Sequence, residues 1–272
     1  MSHHDSDARQ RGQAPVATDQ PELRRVLGGG QLAIGTFVKT THYQTVEVLA
    51  GARLDYLVLD AEHAPFGREA LDACCLAARA YSMPVMVRTA SHRPEHILQA
   101  LDCGAHGVLV PHVDDADIAA KVVAAARYRE AGGQRGFSNS PRAGGYGQFA
   151  MAEHIAVSDR HTAVMVQIES ATAVENVADI AAVEGIDALF IGRADLAVSY
   201  GAETIADPSV AAAVRQVARV ATEQHIPLGI FLPNELELET FRRLGFSIFI
   251  IGSDQSLLKG AAAQVVTAAR SS

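Results

Sequence analysis

The chain alternates between short apolar segments and longer segments with helical periodicity over most of its length. The apolar segments are unbroken, whereas a strand with one solvent-facing side alternates apolar and polar residues. Unbroken runs are typical of parallel strands that are covered on both faces. They lie at Leu32–Val38, Tyr56–Leu59, Val85–Val87, Gly107–Val110, Ala163–Ile168, Ala188–Ile191, Leu228–Phe231 and Ser247–Ile251.

Helical patterns fill the intervals between these predicted strands. Strands that alternate with helices in this way predict an α/β protein, a (β/α)8 TIM barrel. A doubly wound sheet is the alternative, but it favours a GxGxxG motif after the first strand, and Gly28–Gly30 precedes that strand as a plain turn. The predicted helices are Tyr43–Ala50, Arg68–Ala80, Pro94–Ala100, Ala116–Ala126, Ala173–Ala181, Pro208–His225, Leu236–Leu244 and Ser256–Ala269.

The composition and the net charge limit the classes of molecule that the protein is expected to bind. Of the 272 residues, 49% are hydrophobic and 20% are charged, which is sufficient for a packed core. The net charge of -8 argues against nucleic acid or an anionic membrane as a partner. No apolar run approaches the roughly 20 residues that span a bilayer. We therefore expect a small-molecule partner.

The N-terminal residues indicate where the folded domain begins, and the cysteines indicate the redox state of the cellular compartment. Residues 1–20 are polar and lack the apolar centre of a signal peptide, so we predict a disordered leader there and a single barrel domain over residues 21–272. The cysteines Cys74, Cys75 and Cys103 are then expected to be reduced, in a cytoplasmic protein.

Polar residues follow several of the predicted strands at their carboxyl ends, where TIM barrels gather their catalytic groups. Two carboxylates end neighbouring strands in the same manner, Glu169 in "VQIES" and Asp195 in "IGRAD". The other strand ends contribute Asp60, Glu62, His63, Arg88, His112 and Gln167. We expect these groups to converge on one mouth of the barrel.

This set of residues indicates oxygen ligation of a hard cation. Glu169 and Asp195 suit Mg²⁺ or Mn²⁺, with open positions for waters and for a chelating 2-oxo acid. A metal there would make the carbon next to the keto group acidic. Arg88 would add positive charge at the same oxygen, and His63 suits proton transfer at neutral pH. Backbone N–H groups of Gly192–Asp195 would receive the substrate carboxylate.

One connection is long and rich in glycine and serine. It runs from Glu130 to Gly147, as "EAGGQRGFSNSPRAGGYG". Long loops inside compact domains are often functional. We therefore expect this loop to contribute, over Phe137–Tyr146, to the pocket that contacts the second substrate.

Several strings in order resemble the HpcH/HpaI family of class II, metal-dependent pyruvate aldolases. They are "VEVLAGARLDYLVLDAEHAPFG", "VMVR", "LDCGAHGVLVPHVD", "QRGFSNSPRAGGYG", "VQIESATAVEN" and "GIDALFIGRADLAVSYG", and the resemblance covers about residues 32–260. It implies a barrel enzyme that acts on a 2-oxo acid and an aldehyde with Mg²⁺ or Mn²⁺, or with Co²⁺. It also implies a homo-oligomer, a hexamer or trimer of dimers, whose C-terminal helix is exchanged between neighbours.

The resemblance also implies roles for individual residues. Glu169 and Asp195 match the metal ligands, Arg88 the enolate-stabilising arginine, and His63 the general base. The positions that hold the oxo acid match Gln167, Gly192, Arg193 and Ala194.

Two aspartates each have two interpretations. Asp60 either orients His63 or caps its own loop. Asp102 matches an aspartate that partners the histidine, which it would reach only in a neighbouring subunit; otherwise it is a turn residue. His112 and Arg193 depart from the family pattern. Arg193 either adds charge near the carboxylate pocket or faces solvent, and His112 either contacts the aldehyde or the surroundings of the metal, or is a hydrogen-bonded residue of the wall.

Other activities remain open. The expected reaction joins or splits a 4-hydroxy-2-oxo acid, with pyruvate or hydroxypyruvate as donor and an unidentified aldehyde. Decarboxylation of oxaloacetate would use the same site. A Schiff-base aldolase would need Lys39, since Lys121 and Lys259 fall in helical patterns. A non-catalytic barrel that binds an oxo acid is the remaining alternative.

Overall fold

Eight parallel strands form a closed barrel in the computed structural model, which describes residues 23–271. Each strand pairs with the one before it, and β1 closes on β8 with Ala33 opposite Ile248. The predicted TIM barrel is therefore confirmed, whereas the predicted leader over residues 1–20 lies outside the described residues. The strands are β1 (Ala33–Val38), β2 (Tyr56–Asp60), β3 (Val85–Arg88), β4 (Gly107–Val110), β5 (Ala163–Ile168), β6 (Ala188–Ile191), β7 (Leu228–Leu232) and β8 (Ile248–Ser253).

Helices cover the outside of the barrel, and short 3₁₀ turns occupy Glu130–Gly132, Arg142–Gly147 and Glu235–Glu237. The predicted helix Ala173–Ala181 is divided at Asn176, whose side chain donates to the Asp114 carbonyl at 2.9 Å. The helices are α1 (Leu23–Gly28), α2 (Tyr43–Ala50), α3 (Arg68–Ala80), α4 (Pro94–Asp102), α5 (Ala116–Ala126), α6 (Met151–His161), α7 (Ala171–Glu175), α8 (Val177–Ala181), α9 (Arg193–Ser199), α10 (Pro208–Glu223), α11 (Leu238–Arg243) and α12 (Asp254–Ser271).

Two apolar layers hold this architecture together. The outer layer lies between the strands and the helices and includes residues such as Val87 and Ile97. The inner layer fills the barrel itself, and Leu23 and Leu27 of α1 belong to it with no exposed surface. Because α1 precedes β1, it closes the N-terminal end of the barrel and leaves the other end as the open mouth.

The last helix, α12, stands apart from this packing. Its first residue, Asp254, is buried and accepts hydrogen bonds from the backbone N–H groups of Lys39 and Thr40, at 2.8 and 2.9 Å. Every later residue of α12 is exposed, including Leu258 and Val265. The N-terminus of α12 is therefore fixed to the barrel mouth, while its apolar surface has no cover among residues 23–271.

The predicted reduced cysteines are buried and unpaired in the structure. Burial raises the pKa of the Cys74 thiol to about 11, which favours core filling over nucleophilic chemistry. Among residues 23–271, no helix is both long enough and apolar enough to span a membrane.

Candidate active site

A cavity of about 320 Å³ opens at the carboxyl ends of the strands. Strands and loops from both sides of the barrel supply its wall, and most of the predicted site residues belong to it. Asp60 and Glu169 lie buried beneath the mouth, and Asp102 lies elsewhere. The cavity is lined by Phe37, Lys39, His63, Arg88, Gln167, Phe190, Gly192, Arg193, Ala194, Asp195, Phe231, Pro233, Gly252, Ser253 and Ser256.

Arg88 is held in place by a fully buried carboxylate. Its Nε and Nη2 donate to the two oxygens of Asp60 at 2.9 and 2.7 Å, and its guanidinium packs 4.4 Å from the Phe37 ring centre. Burial by itself would raise the pKa of Asp60, but the hydrogen bonds and charge of Arg88, with smaller contributions from His63 and Lys39, hold it below its usual value. Arg88 is thus a rigid cation at the edge of the cavity.

His63 lies at the rim with a half-exposed ring. Asp60 accepts a hydrogen bond from its backbone N–H at 3.1 Å, so Asp60 fixes the loop that carries His63 and does not contact the ring in this chain. The ring Nε2 lies 3.6 Å from Glu62 Oε2 instead. The carboxylate next to the imidazole is therefore Glu62.

Three potential ligands converge close to the cavity. Oxygen or nitrogen atoms of Glu62, His112 and Glu169 lie within 4.8 Å of one another. His112 Nε2 is 3.2 Å from Glu62 Oε1, and its Nδ1 is 3.1 Å from Glu169 Oε1. The backbone of His112, at a φ of 57°, also donates its N–H to Glu169 at 2.7 Å. The sequence analysis predicted that Glu62 and His112 lie at this mouth, but it did not predict either residue as a metal ligand.

The electrostatics of this cluster favour a cation. Burial is the main cause that raises the pKa of Glu169 to about 7; the charges of Asp195 and Glu62 raise it further, while His112 opposes them. Burial likewise raises the pKa of Glu62, against Arg88, His63 and His112. Glu62 Oε2 is buried without a hydrogen bond. A hard divalent cation would stabilise these carboxylates, so the residues fit a metal.

Gln167 and Gly192 shape the site beside Glu169. Gln167 Nε2 donates to Glu169 Oε2, and Gln167 Oε1 is buried without a partner. A Cβ atom on Gly192 would come within 2.9 Å of Gln167 Nε2 and 3.0 Å of Glu169 Cβ, so a side chain at this position would displace Gln167 or Glu169. Gly192 is also the N-cap of α9, which places the N–H groups of Arg193 and Ala194 at the cavity.

The Arg193 side chain is engaged by an acidic partner. Its guanidinium forms two hydrogen bonds with Glu237, at 3.0 and 2.8 Å, and lies 4.8 Å from the Phe241 ring centre. These hydrogen bonds lower the pKa of Glu237. Glu237 therefore neutralises the charge that Arg193 was expected to add to the carboxylate pocket.

Asp102 lies at the C-terminal end of α4, and the cavity wall does not include it. Its carboxylate pairs with Arg135 Nη2 at 3.1 Å, and Arg135 stacks on the Tyr128 ring at 4.7 Å. A role opposite His63 of a neighbouring subunit stays a prediction.

The glycine-rich connection lies outside the mouth, contrary to our expectation that it helps to form the pocket. None of its residues lines the cavity of its own chain, within the described part. Phe137 packs against Tyr128 and His154, and Arg142 pairs with Asp72 on α3 at 2.6 Å. Aromatic and ionic contacts therefore hold the loop against the outer helices, away from the cavity at the mouth of its own chain.

A family model and individual proteins match the chain. The model is that of the HpcH/HpaI aldolase/citrate lyase family, and it matches residues 33–261. A 5-keto-4-deoxy-D-glucarate aldolase of Klebsiella pneumoniae is 34% identical over 248 residues, which cover 91% of this chain and 96% of that protein. An Escherichia coli protein with the same name is 32% identical, with 88% and 93% covered.

A solved structure extends the match to three dimensions. It is an HpcH/HpaI aldolase/citrate lyase family protein from Burkholderia cenocepacia, with a TM-score of 0.86 and 30% identity. The match covers 91% of this chain and 98% of that protein. The barrel and its connections are therefore shared almost from end to end.

Proposed function

The chain belongs to the HpcH/HpaI aldolase/citrate lyase family and is a carbon–carbon lyase, and on that premise we propose that it is a metal-dependent aldolase. The proposed reaction cleaves or forms a 4-hydroxy-2-oxo acid from pyruvate or hydroxypyruvate and an aldehyde. The observation that carries the proposal is the cluster of Glu62, His112 and Glu169, whose two carboxyl groups have raised pKa values, next to a fixed arginine at one cavity.

We propose Glu169 and Asp195 as the protein ligands of Mg²⁺, Mn²⁺ or Co²⁺. Glu62 and His112 are close enough to complete the site or to bind its waters. When bound, the cation would supply Lewis acidity at the keto oxygen of the oxo acid. The chemistry of the donors supports a hard cation, and the nitrogen of His112 also suits Co²⁺.

The residues of the chain then have distinct tasks. Arg88 places positive charge where the keto oxygen becomes negative, and Asp60 prevents it from turning away. Gln167 and the N–H groups of Arg193 and Ala194 hold the carboxylate of the oxo acid, beside Gly192, whose own N–H donates to the Ile168 carbonyl at 3.2 Å.

His63 moves the proton in this proposal. In the cleavage direction it accepts the proton of the C4 hydroxyl, the C3–C4 bond breaks, and the enolate is protonated at C3. Glu62, 3.6 Å from the ring, stabilises the imidazolium that forms. In the reverse direction the same ring returns the proton to the new alkoxide.

We also propose that the chain works as a homo-oligomer in the cytoplasm. The uncovered apolar residues of α12 support exchange of this helix between neighbours. A hexamer or a trimer of dimers would also allow Asp102 to approach His63 of the next subunit. The unpaired cysteines support a reducing compartment.

Two alternative reactions keep the same cavity. A Schiff-base aldolase would use Lys39, but its Nζ lies 3.4 Å from Asp60, and the carboxylate cluster would have no task. Borohydride trapping with substrate tests this alternative, as does EDTA, which would leave an imine enzyme active. Oxaloacetate decarboxylation would use the same enolate, and kcat/KM for the two substrates compares them.

The proposal is tested by proton exchange at the methyl group of pyruvate in deuterated water. We expect exchange with Mg²⁺ or Mn²⁺ and none with EDTA, because enolate formation is the step common to cleavage and condensation. A panel of aldehydes with each donor, followed by product mass, then identifies the acceptor. Absence of metal-dependent exchange would favour a barrel that binds an oxo acid without catalysis.

A further inference from the structure

A second cavity, of about 100 Å³, lies at the end of the barrel opposite the mouth. Two of its residues, His106 and Thr162, directly precede β4 and β5, which places it at the N-terminal ends of those strands. Its wall comes from α3, from the turn between α4 and β4, from the glycine-rich connection and from α6. Among the described residues, none lines both this cavity and the one at the mouth.

The lining of the second cavity is cationic. Arg79 of α3 contributes to it, as do Arg135 and Arg142 of the glycine-rich connection, and three histidines accompany them. No aspartate or glutamate among residues 23–271 belongs to the lining. The chain as a whole has a net charge of -8, so this positive charge is a local feature. A cavity lined by one sign of charge attracts a ligand of the opposite sign.

The three arginines differ in how fully they are neutralised. Arg142 donates two hydrogen bonds to Asp72, at 3.2 and 2.6 Å. Arg135 donates one, from Nη2 to Asp102 at 3.1 Å, and its Nε is buried without a hydrogen bond in a residue that is only 7% exposed. Arg79 has no ion pair with another of residues 23–271. A buried donor without an acceptor is costly, which indicates that a ligand completes this group.

The histidines at this cavity are held neutral beside the arginines. Burial lowers the pKa of His106 to about 4, and the charge of Arg79 lowers it further. Burial likewise lowers the pKa of His154, with Arg135 acting in the same direction. Because the backbone N–H of Val85 donates to His106 Nδ1 at 3.1 Å, the neutral ring of His106 carries its proton on Nε2 and remains a donor. The lining thus combines positive charge with N–H donors.

The size of the cavity limits what it can hold. Pockets for drug-sized molecules measure roughly 300–1,000 Å³, whereas this one measures about 100 Å³, which suits a small ion. Arginine forms charge-assisted, bidentate hydrogen bonds with carboxylates and phosphates. The donors of this cavity belong to α3, to the α4–β4 turn and to the glycine-rich connection. A tetrahedral oxyanion can accept from all three, whereas a planar carboxylate has only two oxygens.

We propose that the second cavity binds a phosphate group, either as the free ion or as a phosphate monoester. Arg79 and the Nε of Arg135 are the donors that it would engage, and His106 Nε2 would donate to it as well. The bound group would connect α3 to the glycine-rich connection across the cavity. The inference does not depend on the proposed aldolase function, since it concerns the other end of the barrel.

Binding of inorganic phosphate to the full-length, Mg²⁺-loaded protein tests the inference by isothermal titration calorimetry at constant ionic strength. In Arg79→Met the affinity should fall roughly 10- to 100-fold, the loss expected of hydrogen bonds to a charged group. This variant leaves no described carboxylate without its partner, so we expect it to fold. Arg135→Lys keeps a cation for Asp102 but removes the Nε donor, and it should also weaken binding.

Two control variants locate the bound ion. Arg219→Met removes an exposed arginine of α10, and Lys39→Met removes a cation from the mouth; both should keep the wild-type affinity for phosphate. Equal affinity in Arg79→Met and wild type, or no saturable binding to wild type, would overturn the inference. A loss of affinity in Lys39→Met alone would also overturn it, because phosphate would then bind at the mouth.

Titration with glycerol 3-phosphate distinguishes the two sources of the phosphate group. Weaker binding than that of inorganic phosphate would assign the site to the free ion, and tighter binding would assign it to a monoester. In either case the inference requires that Arg79→Met weakens the binding of the preferred ligand. If neither ligand responds to Arg79→Met, the cavity is not a phosphate site.

Discussion

The two ends of the barrel are built from the same strands but hold opposite kinds of residue. At the N-terminal end, Leu23 and Leu27 of α1 fill the barrel with apolar side chains that have no exposed surface. At the C-terminal end, Asp60 and Glu169 are almost as deeply buried, although both are carboxylates. At the closed end the charged residues Arg24 and Arg127 both pair with Asp187, at 2.7 and 3.3 Å, whereas the mouth brings several carboxylates together.

The apolar residues that stabilise the fold and the candidate catalytic residues therefore lie at opposite ends of the strands. Apolar packing at the closed end stabilises the fold, and the charged residues beside it are paired with each other. Buried carboxylates cost desolvation energy, and ion pairs recover it only in part. Three carboxyl groups at the mouth, those of Asp60, Glu62 and Glu169, have shifted pKa values, which is typical of functional sites. Mutations at the two ends should separate into effects on activity and effects on folding.

The largest effect is expected at the carboxylate cluster. Glu169→Ala removes a proposed ligand and should abolish metal-dependent exchange and turnover, with loss of Mn²⁺ binding measured by electron paramagnetic resonance. Glu175→Ala, on the exposed face of α7, is the matched control and should behave as wild type. If Glu169→Ala binds Mn²⁺ with wild-type affinity, Glu169 is not a ligand of the metal.

His63 tests the chemistry without removing a ligand. His63→Ala should lower kcat by roughly 10²–10⁴, as expected when an acid–base group is lost. Mn²⁺ affinity should stay near the wild-type value, since His63 lies at the rim. Unchanged kcat would remove His63 from the mechanism and leave the metal proposal intact.

The ion pair of Arg88 and Asp60 tests whether charges at the mouth serve stability. Arg88→Met leaves Asp60 buried with Lys39 and the backbone N–H of His63 beside it, and should cost about 3 kcal/mol in the free energy of unfolding, near the lower end for a broken buried pair. The double variant Arg88→Met with Asp60→Leu should recover much of that stability but no activity. If the double variant is as unstable as Arg88→Met, the ion pair itself stabilises the fold, as the apolar packing does at the closed end.

The closed end should show the reverse pattern. Leu27→Ala opens a cavity under the barrel and should cost roughly 2–5 kcal/mol in urea unfolding. Its kcat, per folded enzyme below the unfolding transition, should match wild type. A large fall in kcat would mean that packing at this end controls the geometry of the mouth.

The smallest effect concerns pH. Folding raises the pKa of Glu169 from 4.5 to about 7 in the metal-free protein. A raised carboxyl pKa stabilises the fold fully below the unfolded value, and this contribution is lost as pH rises through about 7. The metal-free protein should therefore have a lower Tm at pH 8 than at pH 6. Glu169→Gln should reduce this slope; an equal slope would assign it to other groups.

The strands were predictable because burial on both faces leaves a continuous apolar signal. Three of them, β4, β5 and β6, have the predicted bounds, and the others differ by one or two residues at their ends. The helix α6 was missed because it buries His154 and Asp159 and lacks a clear apolar face. The helix α1 was missed because six residues carry little periodic signal.

The sequence predicted which site residues follow the strand ends, but it did not predict which side chains contact one another. The positions of Glu169 and Asp195 followed from where the apolar runs stop. The place of His112 between Glu62 and Glu169 depends on a left-handed backbone that the sequence does not specify. The engagement of Arg193 with Glu237 depends on a loop after β7, which is distant in sequence.

The central claim is that the acidic side chains at the mouth bind one divalent cation. Anomalous diffraction from crystals soaked in Mn²⁺ tests it most directly. We predict a single strong peak bounded by the carboxylates of Glu169 and Asp195, with Glu62 and His112 in direct contact or one water away. A peak elsewhere, or no peak between those carboxylates in crystals that contain Mn²⁺, would contradict the account.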